Sequence, residues 1–185
     1  MPAPRPHRAA SGLLLLALGL TLSSCALLTG VRRQAAAPLG LGIEGREDPA
    51  LSGDGRYLAS VVERGSRRTV LLQERQSGRI LPLRHLGGQQ PHSSPSLSWN
   101  GRYLAVVVQQ GAKRLALIED RATGARHPLY LPGDLEPERL SLAPDGRRIA
   151  LELLDQGRSR VEVFDLGALL EPDLAPGQGL SGSPP

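Results

Sequence analysis

The sequence predicts an all-β fold built from three four-stranded antiparallel meander repeats. Three observations carry this reading. Gly 22 and Pro 16 within 185 residues lie above a globular average and demand many turns. The apolar residues fall in runs of about five bounded by glycine turns, a strand length rather than a helix length. A nine-residue stretch also returns with a period near 46: Leu51-Ser52-Gly53-Asp54-Gly55-Arg56-Tyr57-Leu58-Ala59, then Leu97-Ser98-Trp99-Asn100-Gly101-Arg102-Tyr103-Leu104-Ala105, then Leu142-Ala143-Pro144-Asp145-Gly146-Arg147-Arg148-Ile149-Ala150.

The chain opens with a leader. Residues 1–11 carry Arg5, His7 and Arg8 without an acid, and an apolar run from Gly12 to Leu22 follows. This is the n-region and h-region of a secretion signal. The run falls short of the roughly twenty residues that cross a bilayer. Next comes Leu22-Ser23-Ser24-Cys25-Ala26, which resembles the lipobox of bacterial lipoproteins. By that resemblance residues 1–24 are removed and Cys25 is acylated, and the sole Cys of the chain is used there. Two or three acyl chains hold a protein to a membrane far more firmly than one. Ala26 stands where many inner-membrane lipoproteins carry Asp, so the resemblance favours the outer membrane. Residues 25–45 are rich in Ala and Gly and read as a lipidated flexible tether. They contain Gly40-Leu41-Gly42-Ile43-Glu44-Gly45, but no strand precedes this Gly-rich run and no helix follows it, so it is not read as a dinucleotide site.

The repeats occupy residues 46–168. Asp54-Gly55, Asn100-Gly101 and Asp145-Gly146 are read as tight turns, because Gly supplies positive φ and Asn or Asp tolerates it. Apolar runs follow at 58–62, 104–108 and 149–154. A second turn comes at Arg64-Gly65, Gln110-Gly111 and Gln156-Gly157, and a second run at 70–72, 115–118 and 161–164. A third turn, Ser77-Gly78 or Thr123-Gly124, and a short strand after it are legible in the first two copies. Four strands per unit of this length is the pattern of propeller blades.

At this point the chain resembles the TolB-like β-propeller repeat, whose blades open on aromatic-Ser-Pro-Asp-Gly-basic. Ala143-Pro144-Asp145-Gly146-Arg147 keeps the Pro-Asp-Gly core, and the other copies keep Ser with Asn-Gly or Asp-Gly. Propellers close with four to eight blades, and three are present. The copies therefore form an open partial β-propeller, or half of a six-bladed ring closed by dimerisation. Copies one and two have continuous apolar runs, whereas copy three alternates, with Ile149, Leu151, Leu153, Val161 and Val163 read on shared faces. That is the expectation for a capping repeat, and it favours the open arc. Blade one then needs cover from residues 39–43 or from a partner. Residues 169–185, rich in Pro, Gly and Ser, are expected to be disordered.

The remaining residues limit the chemistry. No G-x-S-x-G elbow is present, and His85, His92 and His127 have no helical pairing and no Cys partner, so no catalytic residue, metal site or cofactor is assigned. The stretch Gln89-Gln90-Pro91-His92-Ser93-Ser94-Pro95 is read as a polar loop between copies. Arg56, Arg102 and Arg147 are read as lying over a blade surface. Trp99 is either core or an exposed contact. Lys and Arg total 22 against 18 acids, Arg5 and Arg8 fall in the leader, and the rest are scattered, so no nucleic-acid surface is expected. The TolB resemblance implies a protein-interaction scaffold in the envelope, with a peptidoglycan-associated lipoprotein or a Tol-type translocation component as partner. A carbohydrate or cell-wall-fragment binder is the alternative.

Overall fold

In every copy the Asp-Gly or Asn-Gly dipeptide reverses the chain, and the strands on either side pair antiparallel. The structure, a computed structural model, describes residues 45–178 apart from 89 and 134. They all belong to one compact unit, Leu39–Pro185. The signal peptide, Leu22, Ser23, Ser24, Cys25, most of the tether and residues 39–43 lie outside the described residues.

Three separate sheets are formed. Blade one comprises β1 (Arg46–Leu51), β2 (Tyr57–Arg64), β3 (Arg67–Glu74) and β4 (Ile80–Leu81), adjacent in that order. Blade two repeats the pattern with β5 (His92–Leu97), β6 (Tyr103–Gln110), β7 (Lys113–Asp120) and β8 (Arg126–Leu129). Blade three has β9 (Glu136–Leu142), β10 (Arg148–Asp155) and β11 (Arg158–Asp165). Blade two packs on both neighbours, and no strand of blade one touches a strand of blade three. The arc is open.

The third sheet departs from the expected four strands. Copy three has no third glycine turn. After β11 the chain passes through Leu166, whose N–H donates to the Arg147 carbonyl at 2.7 Å, and the next carbonyl-to-amide turn brings Leu170 inward.

The first strand of each blade was not legible as a strand. Residues 92–95, the second part of the stretch 89–95 read as loop, lie in β5, whose first residue, His92, is buried. Pro49, Pro95 and Pro137 interrupt β1, β5 and β9, which proline tolerates because each of these strands is a sheet edge. The pairing of β1 with β2 and of β5 with β6 is broken by a bulge, and Asp48 and Ser94 take φ of 48° and 50° there.

The core lies between blades. Ala59, Val70 and Leu72 of blade one pack against Leu104, Val106, Val108 and Leu117 of blade two. On its other face blade two sets Tyr103, Ala105, Val107, Ala116 and Ile118 against Leu140, Leu142, Ile149, Leu151 and Leu153. Continuous apolar runs in β6 follow from this, since both faces are covered. Each fully buried Val or Leu contributes about 1.5–3 kcal/mol. In blade three, Val161 and Val163 do not share the face of Ile149, Leu151 and Leu153. Val161 pairs with Glu152 and Val163 with Ala150, and the two valines are 69% and 65% exposed on the outer face.

The tail expectation also fails over its first residues. Leu170 and Asp173 are buried. Apolar burial of Leu170 against the core between blades two and three, together with the polar contacts described below, fixes a segment whose composition alone reads as disordered.

Candidate functional site

Each recurring turn is held by its own side chains. Asp54 Oδ1 accepts the Arg56 N–H at 2.9 Å, Asn100 Oδ1 that of Arg102 at 2.8 Å, and Asp145 Oδ1 that of Arg147 at 3.0 Å. Buried Ser52 and Ser98 accept the N–H groups of Tyr57 and Tyr103 through Oγ, both at 2.9 Å. Gly55, Gly101 and Gly146 follow at φ of 70°, 71° and 74°. A Cβ on Gly101 would come within 2.6 Å of the Tyr57 ring, and one on Gly146 within 2.9 Å of the Tyr103 ring. The aromatic of one blade thus lies against the turn glycine of the next. Gly101 and Gly146 join their blades to the one before.

The turns are also joined directly. The Asp54 N–H donates to the Trp99 carbonyl, and the Trp99 N–H donates to the Pro144 carbonyl. The Trp99 ring covers Gly53, so this residue is a half-buried contact between blades. Asp173 joins the last two turns: its Oδ2 accepts the Asn100 N–H at 3.0 Å, and its own N–H donates to the Asp145 carbonyl at 2.8 Å.

Arg56 and Arg102, which follow the first two turns, are ion-paired to the acids ending the third strand of their blade. Arg56 meets Glu74 at 2.8 Å, and Arg102 meets Asp120 at 3.0 Å and Glu171 of the tail at 2.8 Å. The hydrogen bond from Arg56, then that from Ser77, holds the Glu74 carboxyl below its ordinary range. Burial pushes the Asp120 carboxyl up, but Arg102 and the N–H groups of Ala122 and Thr123 outweigh it and leave Asp120 below its ordinary range. Arg102 itself is raised, first by Asp120 and then by Glu171. Tyr103 is raised by burial, and its hydroxyl donates to the Glu171 carbonyl at 2.9 Å.

Sequence reasoning missed three groups that join neighbouring blades, two of them buried. Glu119 is 2% exposed and accepts the N–H groups of Arg84 and His85, both at 3.0 Å, fixing the connection between blades one and two. His92 accepts the Val70 N–H through Nδ1 at 3.2 Å, and burial pulls its imidazole below the usual value. β4 spans two residues, paired with Leu72 and Gln73, and His92 takes the place of a strand partner at Val70. Ser94 Oγ accepts the Leu140 N–H at 2.9 Å, and Asp48 Oδ2 accepts the Ser94 N–H at 3.1 Å. The signal that was available was an interruption of the apolar pattern by a polar residue at the edge of a run, as at Glu119.

Two kinds of concavity accompany this framework. On the inner strands a polar hollow of about 490 Å³ is lined by Asp48, Ser93, Ser94, Glu138 and Arg139, with Arg68 beside them. On the outer rim of blade two, a hollow of about 370 Å³ is walled by Leu115, Leu129, Leu131 and Leu135 and edged by Lys113, Arg114 and Glu136. Tyr130 stands over it, 88% exposed. His85, His92 and His127 lie on separate elements, and among the described residues no group of three or more His, Cys, Asp or Glu is gathered as for a metal ion.

The comparisons with known proteins bear on the fold. No protein-family model matches the chain, and no curated protein matches it. Among solved structures, TolB from Acinetobacter baumannii superposes with a TM-score of 0.54 at 17% identity, over 65% of this chain and 30% of that one. A putative TolB from Agrobacterium tumefaciens gives 0.51 at 15% identity, over 68% of this chain and 46% of that one. Dipeptidyl peptidase 4 from Porphyromonas gingivalis gives 0.53 at 14% identity, over 73% of this chain and 26% of that one. The chain spans less than half the length of each of these structures. Its fold is that of a TolB-like β-propeller, present as a partial propeller.

Proposed function

We propose that this chain is a lipid-anchored protein of the bacterial envelope whose arc of TolB-type blades works as a protein-interaction scaffold on the periplasmic side. The observation that carries the scaffold is the rim of blade two. Tyr130 is 88% exposed beside a leucine-walled hollow with a charged edge, which is the composition of a protein interface rather than of a solvated surface. The resemblance to TolB adds the class of partner: a peptidoglycan-associated lipoprotein or a Tol-type translocation component. The anchor rests on the Leu22-Ser23-Ser24-Cys25 motif and the basic leader, and Ala26 favours the outer membrane. No bond is made or broken in this reading.

The arc works open rather than as half of a closed ring. Arg148 stands in blade three where Tyr57 and Tyr103 stand in the first two, so blade three has no aromatic to lay on a following turn glycine. Glu152 likewise stands where Val61 and Val107 are buried. Both changes put charge on the face that a fourth blade would cover.

Affinity capture from membranes with the full chain as bait tests the scaffold: a stoichiometric envelope protein is expected, and Tyr130→Ser is expected to lose it. Retention of the same partner by Tyr130→Ser overturns the rim assignment. Cys25→Ala is expected to release the protein from the membrane fraction, and unchanged fractionation removes the anchor. The polar inner hollow, with Asp48, Ser94, Glu138 and Arg139, favours a second reading, a binder of carbohydrate or cell-wall fragments. A melting shift with peptidoglycan fragments, without a captured protein, would replace the first reading by the second.

A further inference from the structure

The third strand of blade three ends in an unfilled position. In blades one and two the corresponding strands, β3 and β7, carry β4 and β8 on their outer edge, whereas β11 closes its sheet and, among the described residues, pairs only with β10. β10 and β11 are joined by Gln156 and Gly157, both at positive φ, across the pair Asp155 and Arg158. A two-residue hairpin of this kind closes on a hydrogen-bonded pair. Hydrogen bonding then alternates along the strand, so Arg158, Arg160, Glu162 and Phe164 bond to β10. Ser159, Val161 and Val163 direct their N–H and C=O groups to the open edge.

Edge strands are blunted by proline, by a bulge, by brevity or by charged side chains. β11 has no proline and no bulge and is not short; it carries charge at Arg158, Arg160, Glu162 and Asp165, in signs that are mutually complementary at 160 and 162. It runs for eight residues in unbroken register with β10 and exposes Val161 and Val163.

We propose that β11 pairs antiparallel with β11 of a second copy of this chain, about a two-fold axis through Val161. The charges choose this register. With Val161 opposite its counterpart, Arg160 of each copy faces Glu162 of the other, Ser159 faces Val163, and the outward backbone groups of both strands meet as hydrogen-bonded pairs. A shift of the axis by one residue places Glu162 opposite Glu162, or Arg160 opposite Arg160, which like charges oppose. The valines of the two copies come together on one face of a continuous six-stranded sheet. Arg160 and Glu162 already pair within one strand at 3.0 Å, so the charges sit on a common face and exchange partners rather than being desolvated singly. The inference rests on the register of β11 and is independent of the membrane anchor and of Tyr130.

Sedimentation equilibrium of the full chain, held in detergent where the anchor requires it, tests the pairing. The wild type is expected to be in reversible monomer–dimer equilibrium. Glu162→Arg sets arginine against arginine across the axis and is expected to weaken the dimer at least about tenfold. The double variant Arg160→Glu with Glu162→Arg restores opposite charges and is expected to recover the wild-type constant. Val161→Pro removes an outward N–H without touching the bonds to β10 and is expected to abolish the dimer with an unchanged far-ultraviolet spectrum. A wild type that stays monomeric, a dimer insensitive to Glu162→Arg, or a double variant no better than the single one overturns the proposal. A dimer insensitive to both Glu162→Arg and Val161→Pro would instead indicate closure through the blade faces.

Discussion

His92 shows how one side chain can take the place of a strand. The Val70 N–H needs an acceptor, β4 does not extend to it, and Nδ1 of His92 supplies one at 3.2 Å from the neighbouring blade. This bond requires a neutral imidazole, and burial keeps it neutral by pulling the group below its usual value. The unfolded chain takes up a proton near pH 6.5, whereas the folded chain does so only at lower pH. The contribution is therefore whole above about pH 6.5 and drains away as the pH falls from there through the folded value. Thermal melting between pH 8 and pH 5 should show this loss. His92→Leu, which leaves the Val70 N–H unpaired, should lower stability by about 1–3 kcal/mol at pH 8. His92→Asn, which can still offer an oxygen, should cost less and flatten the pH profile. Asp120 follows the opposite chemistry to a lower window: its carboxylate, kept below the ordinary range by Arg102 against the pull of burial, stabilises the fold above about pH 4 and stops doing so as it protonates.

Among the elements, the outer strands were legible and the inner ones were not. β2, β3, β6, β7 and β10 announce themselves locally, through apolar runs that begin just after a turn or end just before one. β1, β5 and β9 contain Pro49, Pro95 and Pro137, carry polar residues at 48, 94 and 138, and gain part of their hydrogen bonding from the adjoining blade. No local pattern encodes a partner 46 residues away. The loop reading failed over residues 92–95 for this reason. The connection between blades one and two is pinned in the same non-local way, by the carboxylate of Glu119. Glu119→Ala removes the acceptor of two backbone N–H groups and should destabilise the protein by about 3–6 kcal/mol, since bonds to a charged group are worth about 1.5–3 kcal/mol each. Chemical denaturation at neutral pH checks this, with Glu119→Gln expected to recover about half of the loss.

For the whole molecule, the repeat period and the count of blades could be read directly, and from them the open arc. The tail could not, because its composition is that of a disordered segment while its role depends on two distant turns. Asp173 lies between Asn100 and Asp145, and Glu171 between Arg102 and Tyr103. Ending the chain after residue 174 should leave the melting temperature unchanged, whereas ending it after residue 168 should lower it by several degrees, because about 1–2 kcal/mol moves the midpoint of a domain of this size by roughly that much. The seating of Tyr57 on Gly101, and of Tyr103 on Gly146, has a consequence for how such a chain can change in length. Blade two presents to blade three the same aromatic, seated on a turn glycine, that it receives from blade one. Excision of residues 91–135, one 45-residue repeat, would therefore bring Tyr57 onto Gly146 and Ala59 onto Ile149 with little change in the joint. Loss of a few residues inside a strand would invert every contact beyond it. Length in this protein is quantised: the unit of tolerated insertion or deletion is the whole repeat.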